Sequence, residues 1–276
     1  MNSAGLEAEQ QAWAGRKRMV DVGGGLGVAC VEIPGAEPAL LLIHGFTDTS
    51  RSFSLLAPHL AGRRLIIPDL RGHGASQAGS RAFRPADFAD DIAGLIGRLR
   101  LEQPVLVGHS LGAMIAVQAA ARYGEMIGGL VLLAGTLKPG ISQDHPMVTG
   151  VRALRDPISP ADPFYSWWHA CRPGVPQAFL AFLAQEASAM PAARWRLILE
   201  QLLRADLTAS ASGVQQETLV VAGAVDPLFG EAHQQALSRA LPDSDFLRIE
   251  GCGHNPHWEN PALVAAVITG KFGSRA

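Results

Sequence analysis

Apolar residues occur along the chain in short continuous runs, and most of these runs end in glycine, proline or a charged residue. Continuous apolar runs of about four to eight residues are typical of strands that are buried on both faces of a sheet. The pattern therefore predicts seven strands, over residues 28–33, 39–43, 64–68, 104–108, 129–134, 217–222 and 245–249.

Segments with helical spacing of apolar residues lie between these runs, over residues 52–60, 85–99, 111–123, 230–240 and 261–271. Strands that alternate with helices indicate an α/β fold with a mostly parallel central sheet flanked by helices. Ligands bind to such sheets beyond the carboxyl ends of the strands, so we expect functional residues in the loops that follow the strands.

The alternation breaks at residues 137–213, which contain helical stretches and many prolines but no strand-like run. Seven of the chain's 17 aromatic residues fall within positions 164–195 of this segment. A structureless loop of this length would be unusual in a compact domain, so we predict an inserted helical cap over the sheet. The predicted organisation is a core domain at 20–136 and 214–273, the cap at 137–213 and an N-terminal extension at 1–19.

The overall composition narrows the range of partners. Apolar residues make up 48% of the 276 residues and charged residues 17%, a balance typical of a globular protein rather than a disordered one. The 23 basic and 25 acidic side chains give a net charge of −2, which provides no long-range attraction for nucleic acids or anionic membranes. We therefore expect neither nucleic acid nor membrane partners, and nothing in the composition indicates an oligomeric state.

The cysteines and the first residues bear on the cellular compartment. Cys30, Cys171 and Cys252 lie far apart and lack the paired spacing of metal ligands, so we interpret them as reduced thiols. The first 18 residues lack the apolar segment of a signal peptide, and no apolar stretch reaches the length of a membrane span. These features predict a soluble cytoplasmic protein.

A G-x-S-x-G pentapeptide at residues 108–112 (GHSLG) follows a predicted strand and precedes a predicted Ala-rich helix. This is the context of a nucleophile elbow, a sharp turn that raises a serine hydroxyl above the sheet. The N-terminus of the following helix also favours negative charge that develops beside it. We identify Ser110 as the candidate nucleophile; the alternative is that the glycines only form a tight strand-to-helix turn.

A serine nucleophile needs a base within hydrogen-bond reach and a third group that orients the base. His254 lies in a glycine-rich loop after the last predicted strand, and Asp226 follows the strand at 217–222. The order Ser110, Asp226, His254 is one of the known chain orders of Ser-His-Asp triads. Two alternatives stay open: an Asp-Pro turn at Asp226, and a metal-binding pair of His254 with His257, for which no third ligand lies nearby.

The oxyanion of such a reaction needs two backbone N–H donors. The amide of Leu111, directly after the candidate nucleophile, can provide one. The amide of Phe46 can provide the other, because Phe46 follows His44 and Gly45 at a strand end, where glycine allows the backbone to turn close to a substrate. We interpret His44 itself as a residue that braces the loop.

Several segments together resemble the α/β-hydrolase superfamily, in its serine esterase and lactonase branch. They are HGF at 44–46, DLRGHGAS at 69–76, GHSLG at 108–112, GAVD at 223–226, GCGH at 251–254 and ENP at 259–261. The resemblance covers roughly residues 20–272 and implies acyl transfer to water through an acyl-enzyme, with no metal or organic cofactor. It also implies that residues 69–76 form a structural turn. Dehalogenases and epoxide hydrolases of this fold use an aspartate nucleophile, whereas position 110 is serine.

The function favoured by these features is hydrolysis of a carboxylic ester or lactone of a small to medium, mostly apolar molecule. Trp167, Trp168, Phe164 and Trp195 are candidates to line its pocket, although the same aromatics would equally form the core of the cap. Two other functions stay open. One is hydrolysis of a carbon–carbon bond in a ring-fission product, weakened by His109 where such enzymes usually have asparagine; the other is a ligand receptor on the same scaffold.

Overall fold

A computed structural model describes residues 3–273, and its centre is an eight-stranded sheet. The strands are β1 (Lys17–Asp21), β2 (Gly27–Ile33), β3 (Ala36–Ile43), β4 (Arg63–Pro68), β5 (Val105–His109), β6 (Gly129–Leu133), β7 (Thr218–Gly223) and β8 (Ser244–Ile249). Their order is β1-β2-β4-β3-β5-β6-β7-β8; β2 is antiparallel to both of its neighbours, and the other pairs are parallel. The predicted mostly parallel sheet is confirmed.

Helices connect the strands and cover the sheet. They are α1 (Ser3–Ala12), α2 (Pro85–Leu99), α3 (Leu111–Tyr123), α4 (Pro146–Ala153), α5 (Pro163–Trp168), α6 (Gln177–Ser188), α7 (Ala192–Arg204), α8 (Thr208–Ala211), α9 (Glu231–Ala240), α10 (Pro256–Glu259) and α11 (Pro261–Phe272). Helices α4 to α8 all lie between β6 and β7, and residues 137–213 contain no strand. Within residues 3–273, no helix has both the length and the apolar character to cross a bilayer.

Successive residues of the central strands point to opposite faces, so the apolar runs supply two separate cores. Leu41 of β3 is buried in one core with Phe88 of α2 and Ile115 of α3. Leu40, its neighbour in the same strand, is buried in the other core with Val264 of α11. The continuous apolar runs exist because both faces of the sheet are covered.

The start of the chain contributes more to the fold than its sequence indicates. Trp13 is buried in one of the two cores, and β1 pairs with β2 at the edge of the sheet. Only Val20 of β1 is buried, so this edge strand lacks the apolar run that marks the central strands. The predicted extension at 1–19 therefore includes the first part of a strand, and its residues 1–2 lie outside the described residues.

The helix predicted over residues 52–60 is wrong. The structure has two short 3₁₀ turns here, Ser50–Phe53 and Ala57–Leu60. Pro58 has no N–H to donate, and its ring would clash inside a longer helix. The side chain of Ser52 is also drawn into tertiary contact, because its Oγ accepts a hydrogen bond from Trp258 Nε1 at 3.0 Å.

Candidate active site

Ser110 stands on a sharp turn between β5 and α3. Its backbone has φ 52° and ψ −112°, a conformation that residues other than glycine rarely adopt. Its N–H donates to the carbonyl of Leu133 at 2.9 Å. Gly112 allows the turn to pack closely, because a Cβ at this position would lie 2.0 Å from the carbonyl oxygen of Ile43.

The structure brings Ser110, His254 and Asp226 together, although they are far apart in the sequence. His254 Nε2 lies 3.0 Å from Ser110 Oγ, and His254 Nδ1 lies 2.8 Å from Asp226 Oδ2. A carboxylate only accepts hydrogen bonds, so Nδ1 carries the proton and donates to Asp226. Nε2 is then left as the acceptor for the serine hydroxyl, which is the geometry of a nucleophile, a base and an orienting acid.

The carboxylate of Asp226 is held by further hydrogen bonds. Oδ1 accepts from the amides of Leu228 and Phe229 at 2.8 and 3.0 Å. Oδ2 accepts from Gln234 Nε2 at 3.3 Å in addition to the imidazole. The Asp-Pro turn and the orienting geometry therefore coexist, because one oxygen faces the turn and the other faces His254.

The loop that carries His254 is fixed by Glu259. Glu259 Oε2 accepts from the amide of Gly253 at 3.0 Å, and Oε1 accepts from the amide of Asn255 at 3.2 Å. The loop packs closely on the end of β7, where a Cβ on Gly223 would lie 1.9 Å from the carbonyl oxygen of Gly253. Glu259 thus positions the histidine through the backbone on either side of it, a role that the sequence reasoning missed.

Two backbone amides near the elbow are free to receive an oxyanion. Among the residues that the structure describes, the N–H groups of Phe46 and Leu111 donate to no other protein group. The loop after β3 lies beside the elbow because β3 and β5 are adjacent in the sheet. In this loop Thr47 has φ 68°, which is unusual for a β-branched residue, and its Oγ1 accepts from Trp168 Nε1 at 2.9 Å.

Residues 69–76 brace this loop from below. His44 Nε2 accepts a hydrogen bond from the amide of Leu70 at 2.9 Å. Buried Asp69 accepts from the amides of Ser50 and Ala75 at 2.8 and 2.9 Å. These contacts agree with the structural roles that the sequence predicts for His44 and for the turn.

A cavity of about 220 Å³ lies beside the Ser110 hydroxyl, and its walls are mostly apolar. This volume is below the roughly 300–1,000 Å³ that is usual for pockets holding drug-sized ligands. The lining residues are Phe46, Asp48, His109, Ser110, Trp167, Trp168, Ala170, Pro227, Leu228, His254, Asn255 and Trp258.

The four aromatic residues predicted to line a pocket fall into two pairs. Trp167 and Trp168 line the cavity, whereas Phe164 and Trp195 do not. Trp195 is fully buried, and its indole N–H donates to the carbonyl of Ala187. Phe164 stacks on Trp168 with ring centroids 5.7 Å apart. Trp195 is thus a core residue, and Phe164 is half-buried and packs against the same core.

Several lining residues were not identified from the sequence as site candidates, including Asp48, Asn255 and Trp258. A signal for the first two existed in the chain, because each lies within two residues of a predicted site residue in a loop that follows a strand. Trp258 has no such signal. Its position beside the cavity depends on the turn at α10 and on its hydrogen bond to Ser52.

Asp48 and His109 are buried polar residues in the cavity wall. Asp48 Oδ2 accepts from Ser52 Oγ at 3.1 Å and lies 3.9 Å from His109 Nδ1. Burial raises the pKa of Asp48 to about 7, although the Ser52 hydrogen bond acts in the opposite direction. Burial, together with two neighbouring histidines, holds the pKa of His109 well below its usual value.

His257 is occupied by packing contacts beneath the site. Its Nε2 lies 2.8 Å from Ser52 Oγ, and its ring packs at a 47° tilt against that of His109, with centroids 4.4 Å apart. In the described part of the chain, no group of three or more histidine, cysteine, aspartate or glutamate side chains is placed to hold a metal ion.

Two sequence relatives match over most of their length. The chain is 30% identical over 257 residues to 2-(acetamidomethylene)succinate hydrolase of Mesorhizobium japonicum, covering 85% of this chain and 88% of that protein. It is also 30% identical over 257 residues to the pimeloyl-[acyl-carrier protein] methyl ester esterase of Aromatoleum aromaticum, covering 84% of this chain and 97% of the esterase.

The fold also matches solved structures. A thermophilic esterase from Thermogutta terrifontis superposes with a TM-score of 0.77 at 25% identity, covering 92% of this chain and 97% of the esterase. A family model described as the alpha/beta hydrolase fold matches residues 38–261, a range that contains every residue lining the cavity. Because this match spans most of the chain, the protein belongs to the α/β hydrolase fold family and is a hydrolase.

Proposed function

We propose that the chain is a serine hydrolase that cleaves a carboxylic ester or lactone of a small, mostly apolar substrate through an acyl-enzyme. The observation that carries this proposal is the hydrogen-bonded series of Ser110, His254 and Asp226, with distances of 3.0 and 2.8 Å, beside an aromatic-walled cavity. The two esterases among the similar proteins support the choice of an ester bond.

In the acylation half, Ser110 Oγ attacks the substrate carbonyl carbon while His254 Nε2 takes the hydroxyl proton. The carbonyl electron pair moves onto oxygen, where the amides of Phe46 and Leu111 donate to the developing charge. Asp226 stabilises the imidazolium through its bond to Nδ1. The tetrahedral species then collapses, the alcohol oxygen leaves with the proton from His254, and the acyl group remains on Ser110.

In the deacylation half, water attacks the acyl carbonyl while His254 accepts one of its protons. The same two amides donate to the second oxyanion. Collapse of this species breaks the bond to Ser110, which regains its proton from the imidazole, and the carboxylic acid departs. Each proton in the cycle is accounted for by His254, the substrate and water.

We also propose that residues 137–213 act as a cap that limits the size of the substrate. Trp167, Trp168 and Ala170 belong to this segment, and they line the same cavity as Ser110. The small volume, about 220 Å³, favours short acyl groups over long ones.

Hydrolysis of p-nitrophenyl esters from acetate to decanoate tests the nucleophile and the pocket together. We expect Ser110→Ala to lower kcat by at least about a thousandfold with an unchanged circular dichroism spectrum, because the covalent step loses its attacking atom. The wild-type rate should be highest for short acyl chains.

The matched control is Ser80→Ala, which removes an exposed serine hydroxyl outside the cavity and should leave kcat unchanged. Turnover close to that of the wild type in Ser110→Ala would reject Ser110 as the nucleophile. If neither protein turns over any ester in the series, carbon–carbon hydrolysis or ligand reception becomes the better description.

A further inference from the structure

The proposed mechanism gives no role to Asp48, a buried acid in the wall of the cavity. Asp48 lines the same cavity as Ser110 and is only 6% exposed. Its Oδ2 is occupied by Ser52 Oγ. Within residues 3–273, the hydrogen bond that the Asp48 carboxyl accepts from the protein goes to Oδ2, and none goes to its other oxygen, Oδ1.

The lone pairs of the neighbouring His109 bear on which protonation state of Asp48 is favoured. His109 Nε2 lies 2.9 Å from the carbonyl oxygen of His254, and a carbonyl only accepts, so Nε2 carries the proton of the neutral ring. His109 Nδ1 is therefore a bare lone pair. It is buried without a hydrogen-bond partner, and it lies 3.9 Å from Asp48 Oδ2.

A carboxylate beside this lone pair would place a full negative charge next to an electron-rich atom in a buried wall, whereas the neutral acid weakens that repulsion. The other charged or titratable groups that act on Asp48 are His254, which favours the ionised form, and Glu186, which opposes it. Burial outweighs these neighbours, so the acid form is present at and below neutral pH.

We propose that Asp48 is a specificity residue: in its acid form it donates a hydrogen bond from its free oxygen to an ether, ester or carbonyl oxygen of the bound substrate. This inference rests on the proposed ester hydrolase function and names the substrate class further. The preferred substrate then carries a second oxygen a few bonds from the scissile ester, within an otherwise apolar body. The carboxylate form cannot donate, so the preference is lost as the pH rises through 7.

The test uses two pairs of substrates in which one methylene is replaced by an ether oxygen of similar size. On the acyl side the pair is p-nitrophenyl butanoate and p-nitrophenyl methoxyacetate; on the alcohol side it is butyl butanoate and 2-methoxyethyl butanoate. The measured quantity is the ratio of kcat/KM within each pair, divided by the ratio of the hydroxide-catalysed rates. The protonation of His254 cancels in this ratio, because it affects both members equally.

For the wild type at pH 6, we expect the ether substrate of at least one pair to be preferred about three- to tenfold, the size of one neutral hydrogen bond. At pH 8.5 the preference should disappear. Asp48→Asn keeps an N–H donor that does not titrate, so its preference should be equal at both pH values. Asp48→Leu removes the donor and should show no preference at either pH.

A wild-type ratio that is the same at pH 6 and pH 8.5, or a ratio that Asp48→Leu leaves unchanged, overturns the role of Asp48 while ester hydrolysis stands. If the leucine variant does not fold, the wild type and Asp48→Asn decide the question by their pH dependence. If the wild type cleaves none of the four esters, the proposed function fails, and this inference fails with it.

Discussion

At the scale of single residues, the site depends on which atom carries a proton. Asp226 has two different oxygens: Oδ1 accepts from two backbone amides, and Oδ2 accepts from His254 Nδ1. This division keeps the imidazole in the tautomer whose Nε2 accepts from Ser110.

Asp226→Asn is expected to lower kcat by about a thousandfold or more without unfolding the protein. The two backbone amides require the side-chain oxygen of asparagine, so its NH₂ group faces His254 Nδ1. That contact reverses the tautomer, and Nε2 then carries a proton and cannot act as a base. Esterase kinetics on the best p-nitrophenyl ester measure the loss.

Asp243→Asn is the control for this substitution, because it removes a carboxylate from an exposed position outside the cavity. We expect Asp243→Asn to have the same kcat as the wild type. Comparable kcat values for Asp226→Asn and the wild type would show that Asp226 does not set the tautomer of the base.

At the scale of elements, α6 is tied to the loop after β3 and to the start of the chain. Glu186 of α6 accepts from Arg51 Nε at 2.9 Å and Nη2 at 2.5 Å, and also from Thr49 Oγ1. The Arg51 guanidinium also donates to the carbonyl of Gln10 in α1, and it is only 2% exposed. One buried cation thus joins three parts of the fold that are distant in sequence.

Glu186→Gln is expected to lower the free energy of unfolding by on the order of 2 kcal/mol, because a buried guanidinium loses its counter-charge. Urea unfolding followed by tryptophan fluorescence measures the change. The matched control is Asp206→Asn, which breaks the ion pair between Asp206 and Lys138. Both of these side chains are more than half exposed. This control should change stability little, and equal losses in the two variants would show that Glu186 does not neutralise the buried Arg51 guanidinium.

At the scale of the whole molecule, the fold buries several histidines in neutral form. Burial lowers the pKa of His44 to about 3, and that of His73 and His169 to about 4. An unfolded chain titrates its histidines near pH 6.5, so between about pH 4 and 6.5 it binds more protons than the folded protein. Stability therefore falls as the pH falls through this window.

Below pH 6.5, each such histidine is expected to lower the free energy of unfolding by about 1.4 kcal/mol per pH unit. Asp48 offsets one of them, because its raised pKa lets the folded protein bind one more proton than the unfolded chain in this range. Urea unfolding midpoints at pH 7.5, 6 and 5 measure the slope. His169→Phe should make the slope shallower by one histidine, because it removes a buried ring whose Nε2 has no hydrogen-bond partner among residues 3–273.

His59→Gln, at an exposed position, is the control and should leave this slope unchanged. A midpoint that stays constant between pH 7.5 and 5 would contradict the burial of neutral histidines.

Much of the fold could be predicted because the information is local. Central strands are buried on both faces, and so β3, β5 and β6 each appear in the sequence as a continuous apolar run. The edge strand β1 buries one residue and leaves no such trace. The helix predicted over residues 52–60 spans Pro58, and the structure has only short 3₁₀ turns there because proline interrupts a helix.

The sequence by itself determined strands β2 to β8, the elbow at Ser110 and the strand ends that carry Asp226 and His254, because turn chemistry and burial patterns act over a few residues. Only the tertiary structure decided which aromatics line the cavity and that Asp48 lies in the same cavity wall as Ser110. Those relations join segments distant in sequence, and a side chain's burial and partners depend on the packing of all of them together.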